Sequence, residues 1–401
     1  MSFVAPAGTP LALSEIASGL WQGSRSHADL NALHAELARL AQRDTCRSFS
    51  SGRAAMVVAL RAMKVVAGSR RTRVVIPGYT CYSVAAALEN TGLTPVLCDV
   101  NPRTLSLDLE ALARIDLSEV LAIITANLYG IPNDTAEIAR IAAAGGAYLL
   151  DDAAQSLGAS IGGTPAGGFG DVGLYSFDKG KNIPTMQGGA LVARRGVLGE
   201  EIERQWTALP FATPAETCMN AGKLAAYSLL LKPAYFGFVR SLPGLKLGQT
   251  PYELEYPITR YSPALAGIAV RLCRRIVEIN AQRIANAERL RTALADVPAL
   301  EFIAPPDGAK PVYLRLPALA RSQIERDRLI VALEAAGIGA TASYPSALAD
   351  VPKVRARLAA DAVPTPGARS VAARILTLPT HAYSPPDLAD RVRTIVRREA
   401  P

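Results

Sequence analysis

The sequence predicts an α/β protein. A large unit carries a mostly parallel sheet covered by helices on both faces, and a smaller α+β unit follows. Three observations predict this. Between about residues 53 and 200, short apolar runs alternate with helical patterns, as parallel strands buried on both sides require. After about residue 260 the texture changes to long helical stripes. Half of the 401 residues are apolar but only 6% are aromatic, so the core is built from Ala, Leu, Val and Ile.

Each element follows from its local pattern. Strands are expected at 73–77, 94–99, 121–126, 147–151, 172–177 and 189–193. Helices are expected at 54–66, 83–90, 107–114 and 135–144, the last stopped by Gly145-Gly146. One long helix is expected from 263 to about 295, because Leu265, Ile268, Leu272, Ile276 and Ile279 recur at three- and four-residue steps. A strand at 312–316, a helix at 322–336 closed by Gly337, and a helix at 386–398 complete the chain. At about 100–200 residues per domain, the expected division is 1–255 and 256–401, with residues 1–45 packing on either domain.

Charge and cysteine usage narrow the class. The net charge is +8, yet the densest basic pieces are Arg70-Arg71-Thr72-Arg73 and Arg391-Val392-Arg393. A nucleic-acid footprint is a longer stripe, so solvated helix faces are expected instead. Cys46, Cys81, Cys98, Cys218 and Cys273 are scattered without a CxxC pair, and the histidines are His27, His34 and His381. No metal site is expected, and reduced thiols fit a cytoplasmic protein. The first residues show no secretory signal pattern. Segment 224–239 is strongly apolar, but Lys232 and Pro233 interrupt it, far short of the about 20 residues a membrane span needs. A buried helix pair or an apolar surface near a site is expected there, with weak peripheral membrane or apolar-substrate contact.

Ligands of an open parallel sheet lie beyond the carboxyl ends of its strands. Three such places are chemically informative. Ser50-Ser51-Gly52-Arg53 precedes a helix, whose free N–H groups and dipole suit either a bound phosphate or an ordinary N-cap. Asp151-Asp152 ends a buried strand, which suits a carboxylate facing a ligand cation. Lys179 and Lys181 lie on a glycine-containing loop that is either solvated or turned inward. Two decoys drop out. Gly168–Gly173 fits GxGxxG but precedes a strand instead of following one, and Gly180-Lys181-Asn182 lacks the rest of a P-loop. Together the three places supply what pyridoxal phosphate needs: a phosphate cradle, a carboxylate at Asp152 for the pyridine nitrogen, and a lysine for the Schiff base.

These residues, in this order, resemble the DegT-type sugar aminotransferases of the fold type I pyridoxal-phosphate enzymes. The likeness runs through Ser51-Gly52-Arg53-Ala54-Ala55, Pro77-Gly78-Tyr79-Thr80, Leu128-Tyr129-Gly130, Asp151-Asp152-Ala153-Ala154-Gln155, Ser176-Phe177 to Lys181-Asn182, and Gly188-Gly189-Ala190. It resumes at Gly337-Ile338, Tyr344-Pro345 and Leu378-Pro379. The resemblance implies that Lys181 is the Schiff-base lysine and Asp152 the partner of the ring nitrogen. It places Gln155 near the ring and its phenolic oxygen, and Ser51, Gly52, Arg53 and Ser176 at the phosphate. Tyr79, Asn127, Asn182, Arg260 and Tyr344 become substrate-binding candidates. The chain also departs from the family. Cys81 stands where an aromatic usually stacks on the ring, so the stack is lost or Tyr79 or Tyr82 supplies it. Ile258 replaces the partner-subunit asparagine, Asn127 replaces a histidine, and 224–239 has no family counterpart.

The resemblance implies an aminotransferase cycling between pyridoxal and pyridoxamine phosphate. It would take an amino-acid donor, commonly glutamate, and a keto-sugar or related ketone acceptor, in a homodimer with its active site at the interface. The alternatives are a pyridoxamine-phosphate-dependent sugar dehydratase and a non-catalytic regulatory protein that binds pyridoxal phosphate.

Overall fold

The computed structural model describes residues 2–23, 27–68, 71–241, 252–359 and 362–400. Arg70 of the first basic cluster lies outside the described residues.

Seven strands form the large sheet: β1 Thr45–Phe49, β2 Arg73–Pro77, β3 Thr94–Cys98, β4 Val120–Ala126, β5 Tyr148–Asp152, β6 Val172–Ser176 and β7 Gly189–Ala193, in the order β1-β7-β6-β5-β4-β2-β3. From β3 to β6 all neighbours run parallel. Strand β7 turns back antiparallel on β6, and β1 pairs antiparallel with β7. The expected parallel sheet is therefore present. Strand β1 is the unexpected member, since Thr45-Cys46-Arg47-Ser48 offers no apolar run.

Alternation along each strand assigns the layers. Val74 and Ile76 pack toward the helices Gly52–Ala67 and Tyr82–Glu89. Val75 points the other way, to the helix Thr135–Ala144. At the β6–β7 end that second face is covered by the helices Ala28–Ala41 and Pro263–Arg274, through Leu33, Leu37, Leu265 and Leu272. Each such fully buried leucine contributes about 1.5–3 kcal/mol.

A second, antiparallel sheet has three strands, β8 Leu300–Phe302, β9 Leu316–Ala320 and β10 Ile375–Leu378. Its core joins the helices Ile276–Ala293, Gln323–Ala335 and Leu388–Glu399. Residues 2–11 run between the two units: Val4 pairs with Ile338, and the following helix Leu13–Gly23 packs on Pro263–Arg274.

Two expectations are corrected, and a third, the helix pair at 224–239, is met with its outward face exposed. The helix expected over 263–295 is two helices, because Arg275 leaves helical geometry (φ −96°, ψ 5°), its guanidinium drawn to Glu15 and Glu278. The strand expected at 312–316 begins only at Leu316. Tyr313 adopts a left-handed φ of 44°, and the Val312 N–H donates to the Gly130 carbonyl at 2.8 Å instead of to a strand. The apolar 224–239 segment forms parts of two helices, Pro214–Leu230 and Pro233–Ser241. Leu224, Ser228 and Leu231 are buried, but Leu229, Leu230, Tyr235 and Phe238 are exposed.

Candidate active site

The two adjacent aspartates of β5 do different work. Asp151 is wholly enclosed and accepts from Thr125 Oγ1 (3.0 Å), Asn127 Nδ2 (2.7 Å), and the N–H groups of Gly167 (2.7 Å) and Phe169 (3.3 Å). Its lone pairs are spent on the scaffold. Asp152, on the opposite face, is buried with a single hydrogen bond, from the Ala154 N–H at 2.9 Å. Burial pushes its carboxyl up to about 6, partly offset by that N–H and by the charge of Lys181. The lysine ammonium thus faces Asp152 closely enough to favour its ionised form. Lys179 is exposed, whereas Lys181 is half-buried.

The loop bearing Lys181 is clamped from a distance in sequence. Thr9 Oγ1 lies 3.1 Å from the carbonyl oxygens of both Lys181 and Asn182. The fully buried Arg283 donates to Thr9 Oγ1 (2.7 Å) and to the Gly8 carbonyl (3.0 Å). The Tyr227 hydroxyl accepts from the Thr9 N–H at 3.2 Å and from the Gly180 N–H. Neither Thr9 nor Arg283 belongs to a motif, so only the folded chain reveals them.

At the helix Gly52–Ala67, Ser51 is the N-cap and its Oγ accepts from the Ala54 N–H at 3.0 Å. The ordinary cap reading is therefore right for the Ser51 side chain. The first-turn N–H groups of Gly52 and Arg53 precede any intrahelical partner. A side chain at Gly52 would sit 3.2 Å from Ser176 Cβ and 3.3 Å from its Oγ. Glycine lets the helix start close on the end of β6, where first-turn donors and the Ser176 hydroxyl converge. Thr80, just past β2, leaves a buried Oγ1 without a partner, the kind of orphan that a ligand satisfies.

Gln155 is buried, accepts from the Tyr129 N–H and donates to the Tyr344 hydroxyl, both at 3.0 Å. Tyr129 holds a left-handed φ of 58°, a costly conformation that tends to gather at functional sites. There its hydroxyl lies 3.0 Å from that of Tyr79. Cys81 starts the helix Tyr82–Glu89, and Ser83 Oγ donates to its sulfur at 2.9 Å. Tyr79 and Tyr82 both set their rings against Tyr344, with centroids 5.9 and 6.0 Å away. The Tyr82 hydroxyl is further tied to the Ser346 backbone.

Other expected site residues are used elsewhere. The Arg53 guanidinium pairs with Glu253 at 2.9 Å and lies over the Tyr256 ring, so its side chain is not at the cradle. Arg260 stacks on Phe211, 3.8 Å from the ring centroid, along the edge of β1. Asn127 spends its amide on Asp151, the Asp152 carbonyl and the Asn133 N–H, so it orients the carboxylates instead of facing a substrate. Asn182 is buried and bonds the Gln155 carbonyl (3.1 Å) and Arg283 (3.2 Å).

The profile of the DegT/DnrJ/EryC1/StrS aminotransferase family matches residues 13–209 and 259–397. The chain belongs to this family. Among curated relatives, the UDP-N-acetyl-3-dehydro-alpha-D-glucosamine 3-aminotransferase of Acidithiobacillus ferrooxidans is 33% identical over 174 residues, 43% of this chain and 46% of that one. The L-glutamine:2-deoxy-scyllo-inosose aminotransferase of Micromonospora echinospora is 28% identical over 334 residues, 82% of this chain and 73% of that one. The chain spans less than half the length of the first three curated relatives it matches, 36–47%. Among solved structures, S. venezuelae DesV in complex with a ketimine intermediate superposes with a TM-score of 0.76 at 24% identity, covering 96% of this chain and 94% of that one. Helicobacter pylori PseC, an aminotransferase involved in the biosynthesis of pseudoaminic acid, gives 0.79 at 15% identity, covering 100% and 99%. These likenesses show a fold shared with pyridoxal-phosphate aminotransferases of fold type I.

Proposed function

We propose that this family member is a pyridoxal-phosphate-dependent aminotransferase. It moves an amino group from an amino-acid donor, glutamate or its amide, to a cyclic polyhydroxylated ketone such as a keto-sugar. The single observation that carries this reading is a buried carboxylate with one hydrogen bond, Asp152, that feels the charge of the half-buried Lys181. The relatives' names, a keto-sugar aminotransferase and an inosose aminotransferase, support the acceptor class.

The residues fit the cofactor. The Gly52 and Arg53 N–H groups with Ser176 Oγ would hold its phosphate, and the orphaned Thr80 hydroxyl lies on the same strand-end surface. Asp152 would hold its ring nitrogen protonated, since a buried carboxylate recovers its charge beside a cation. Gln155 would sit at the ring's edge. When bound, the group supplies an electron sink that lowers the acidity barrier of the substrate's α-carbon. Lys181 Nζ takes the proton from that carbon and returns it on the opposite step, which the clamp through Thr9 keeps in register. Asn127 holds Asp151 and the Asp152 carbonyl, and so fixes the carboxylate's direction.

The wider reading is a homodimer with its site at the subunit interface, in a cytoplasm that keeps all five cysteines reduced; they are free in the structure. We also retain the division into a cofactor unit of residues 1–255 and a smaller unit of 256–401.

The test is spectroscopic. The yellow holoenzyme should bleach on adding glutamate or glutamine and recover colour with a keto-sugar or inosose. Borohydride reduction followed by peptide mapping should label Lys181. Label on Lys179, or a holoenzyme that no donor bleaches, overturns the reading.

A further inference from the structure

The two matched stretches of the family profile leave out residues 210–258. The helices Pro214–Leu230 and Pro233–Ser241 fall inside that gap. The family profile therefore does not describe them.

Both of their faces carry apolar side chains. A surface helix normally turns its apolar stripe inward and its charges outward. Here the outward stripe of the first helix reads Ala215, Cys218, Met219, Gly222, Ala226, Leu229 and Leu230, with exposed Lys223 beside it. The second helix adds Ala234, Tyr235 and Phe238, the last 70% exposed. The inward face buries Leu224 and Leu231 beside Asn220 and Ser228, and Tyr227 reaches the lysine loop. Between Glu216 and Glu253 the sequence has no acidic residue and four basic ones, Lys223, Lys232, Arg240 and Lys246. Among the described residues, exposed Lys223 and Lys232 flank this apolar face, which complements an anionic lipid surface, into which leucine and aromatic side chains sink while lysines meet headgroup phosphates. A second protein copy would bring the same cations against themselves. No described helix is long and apolar enough to cross a membrane, so the pair lies on the surface instead of spanning it.

We propose that the outward face of the helix pair 214–241 docks this enzyme on an anionic bilayer surface. The contact is linked to the active site by short steps. On its inward side Tyr227 bonds Thr9, and Thr9 bonds the carbonyl of Lys181. The proposal does not depend on the reaction assigned above, because it concerns a surface outside the residues that would hold the cofactor.

The test is sedimentation of the full-length holoenzyme with vesicles of phosphatidylcholine alone, or with one quarter phosphatidylglycerol. The wild type should bind the anionic vesicles at least tenfold more tightly than the neutral ones, and added salt should weaken this. The double variant Leu229→Glu, Phe238→Glu should lose tenfold or more in binding while keeping its bleaching by an amino donor in solution. The variant Lys223→Gln, Lys232→Gln leaves the apolar face intact and should lose only the preference for anionic vesicles. Wild type that stays in the supernatant with both vesicles overturns the proposal. So does a double variant that binds as wild type does, or one that sheds a subunit in light scattering without losing vesicle binding.

Discussion

The hydroxyl of Thr9 meets the main-chain oxygen of Lys181 at 3.1 Å, across 172 residues of sequence. The same hydroxyl accepts from Arg283, a guanidinium with no exposure to water. Thr9→Val removes both contacts and leaves the buried Arg283 one acceptor short, with only the Gly8 carbonyl and Asn182 remaining. The expected cost is about 2–4 kcal/mol, together with weaker cofactor retention and a lower kcat. Thr9→Ser should restore most of each. A thermal melt and a cofactor titration by absorbance check this. Unchanged cofactor affinity in the valine variant would show that the clamp does not position the lysine.

Lys181→Ala should bind pyridoxal phosphate without the shifted absorbance of the lysine adduct. It should lose about 10²–10⁴-fold or more in amino transfer. Lys179→Ala should stay near wild type, since Lys179 is exposed. Single-turnover kinetics on the two variants separate these outcomes.

Asp152→Asn should raise stability while abolishing activity. The folded carboxyl stands at about 6 against an ordinary 3.8. An acid raised on folding costs nothing below pH 4, and its cost grows as pH rises from 4 to 6. At pH 7 that cost is about 3 kcal/mol in the cofactor-free protein. The asparagine variant without cofactor should therefore melt higher than wild type at pH 7, and the two should converge near pH 4. Melts across that range read it directly.

The buried histidines set an acid limit. Burial lowers His34 to about 3, where its Nε2 accepts from the Ser48 N–H at 3.1 Å, and lowers His381 to about 4. Both are neutral in the folded chain and take up protons when it unfolds. The histidines' contribution to stability should be full above pH 6.5 and be lost steadily as pH drops toward 3–4. His381 also lies 2.8 Å from the Ala5 carbonyl through Nε2, so its loss should loosen residues 2–11 first. Hydrogen exchange at pH 5 in a His381→Leu variant checks that order.

Gly52→Ala and Arg53→Ala should differ sharply. The new methyl at Gly52 crowds Ser176 at 3.2–3.3 Å, so phosphate affinity should drop about tenfold or more. Arg53→Ala breaks a partly exposed pair with Glu253, worth about 0–1 kcal/mol, and should leave cofactor affinity within a few fold. Titration with the cofactor decides both.

Much of this protein was legible in its sequence. The parallel strands from β2 to β6 follow from unbroken apolar runs, and the helix Gln323–Ala335 from Ser322 before it and Gly337 after it. Asp152 and Lys181 stand out because strand ends concentrate polar residues against an apolar background, and Gln155 and Ser176 because their motifs resemble the family's. Those are local signals, carried by neighbours in the chain.

The tertiary structure decided what depends on distant partners. Asp151 and Asp152 are the same residue type side by side. Only the Thr125 side chain of neighbouring β4 and Asn127 just past it, with the Gly167 loop, show which one is spent on the scaffold. Arg53 reads as a phosphate ligand until Glu253 and Tyr256 fold beside it. Thr9 and Arg283 carry no motif and become meaningful only where three remote segments meet at the Lys181 loop. A side chain's chemistry is written in the sequence, but its free valence is what remains after its neighbours have been satisfied, and folding chooses those neighbours.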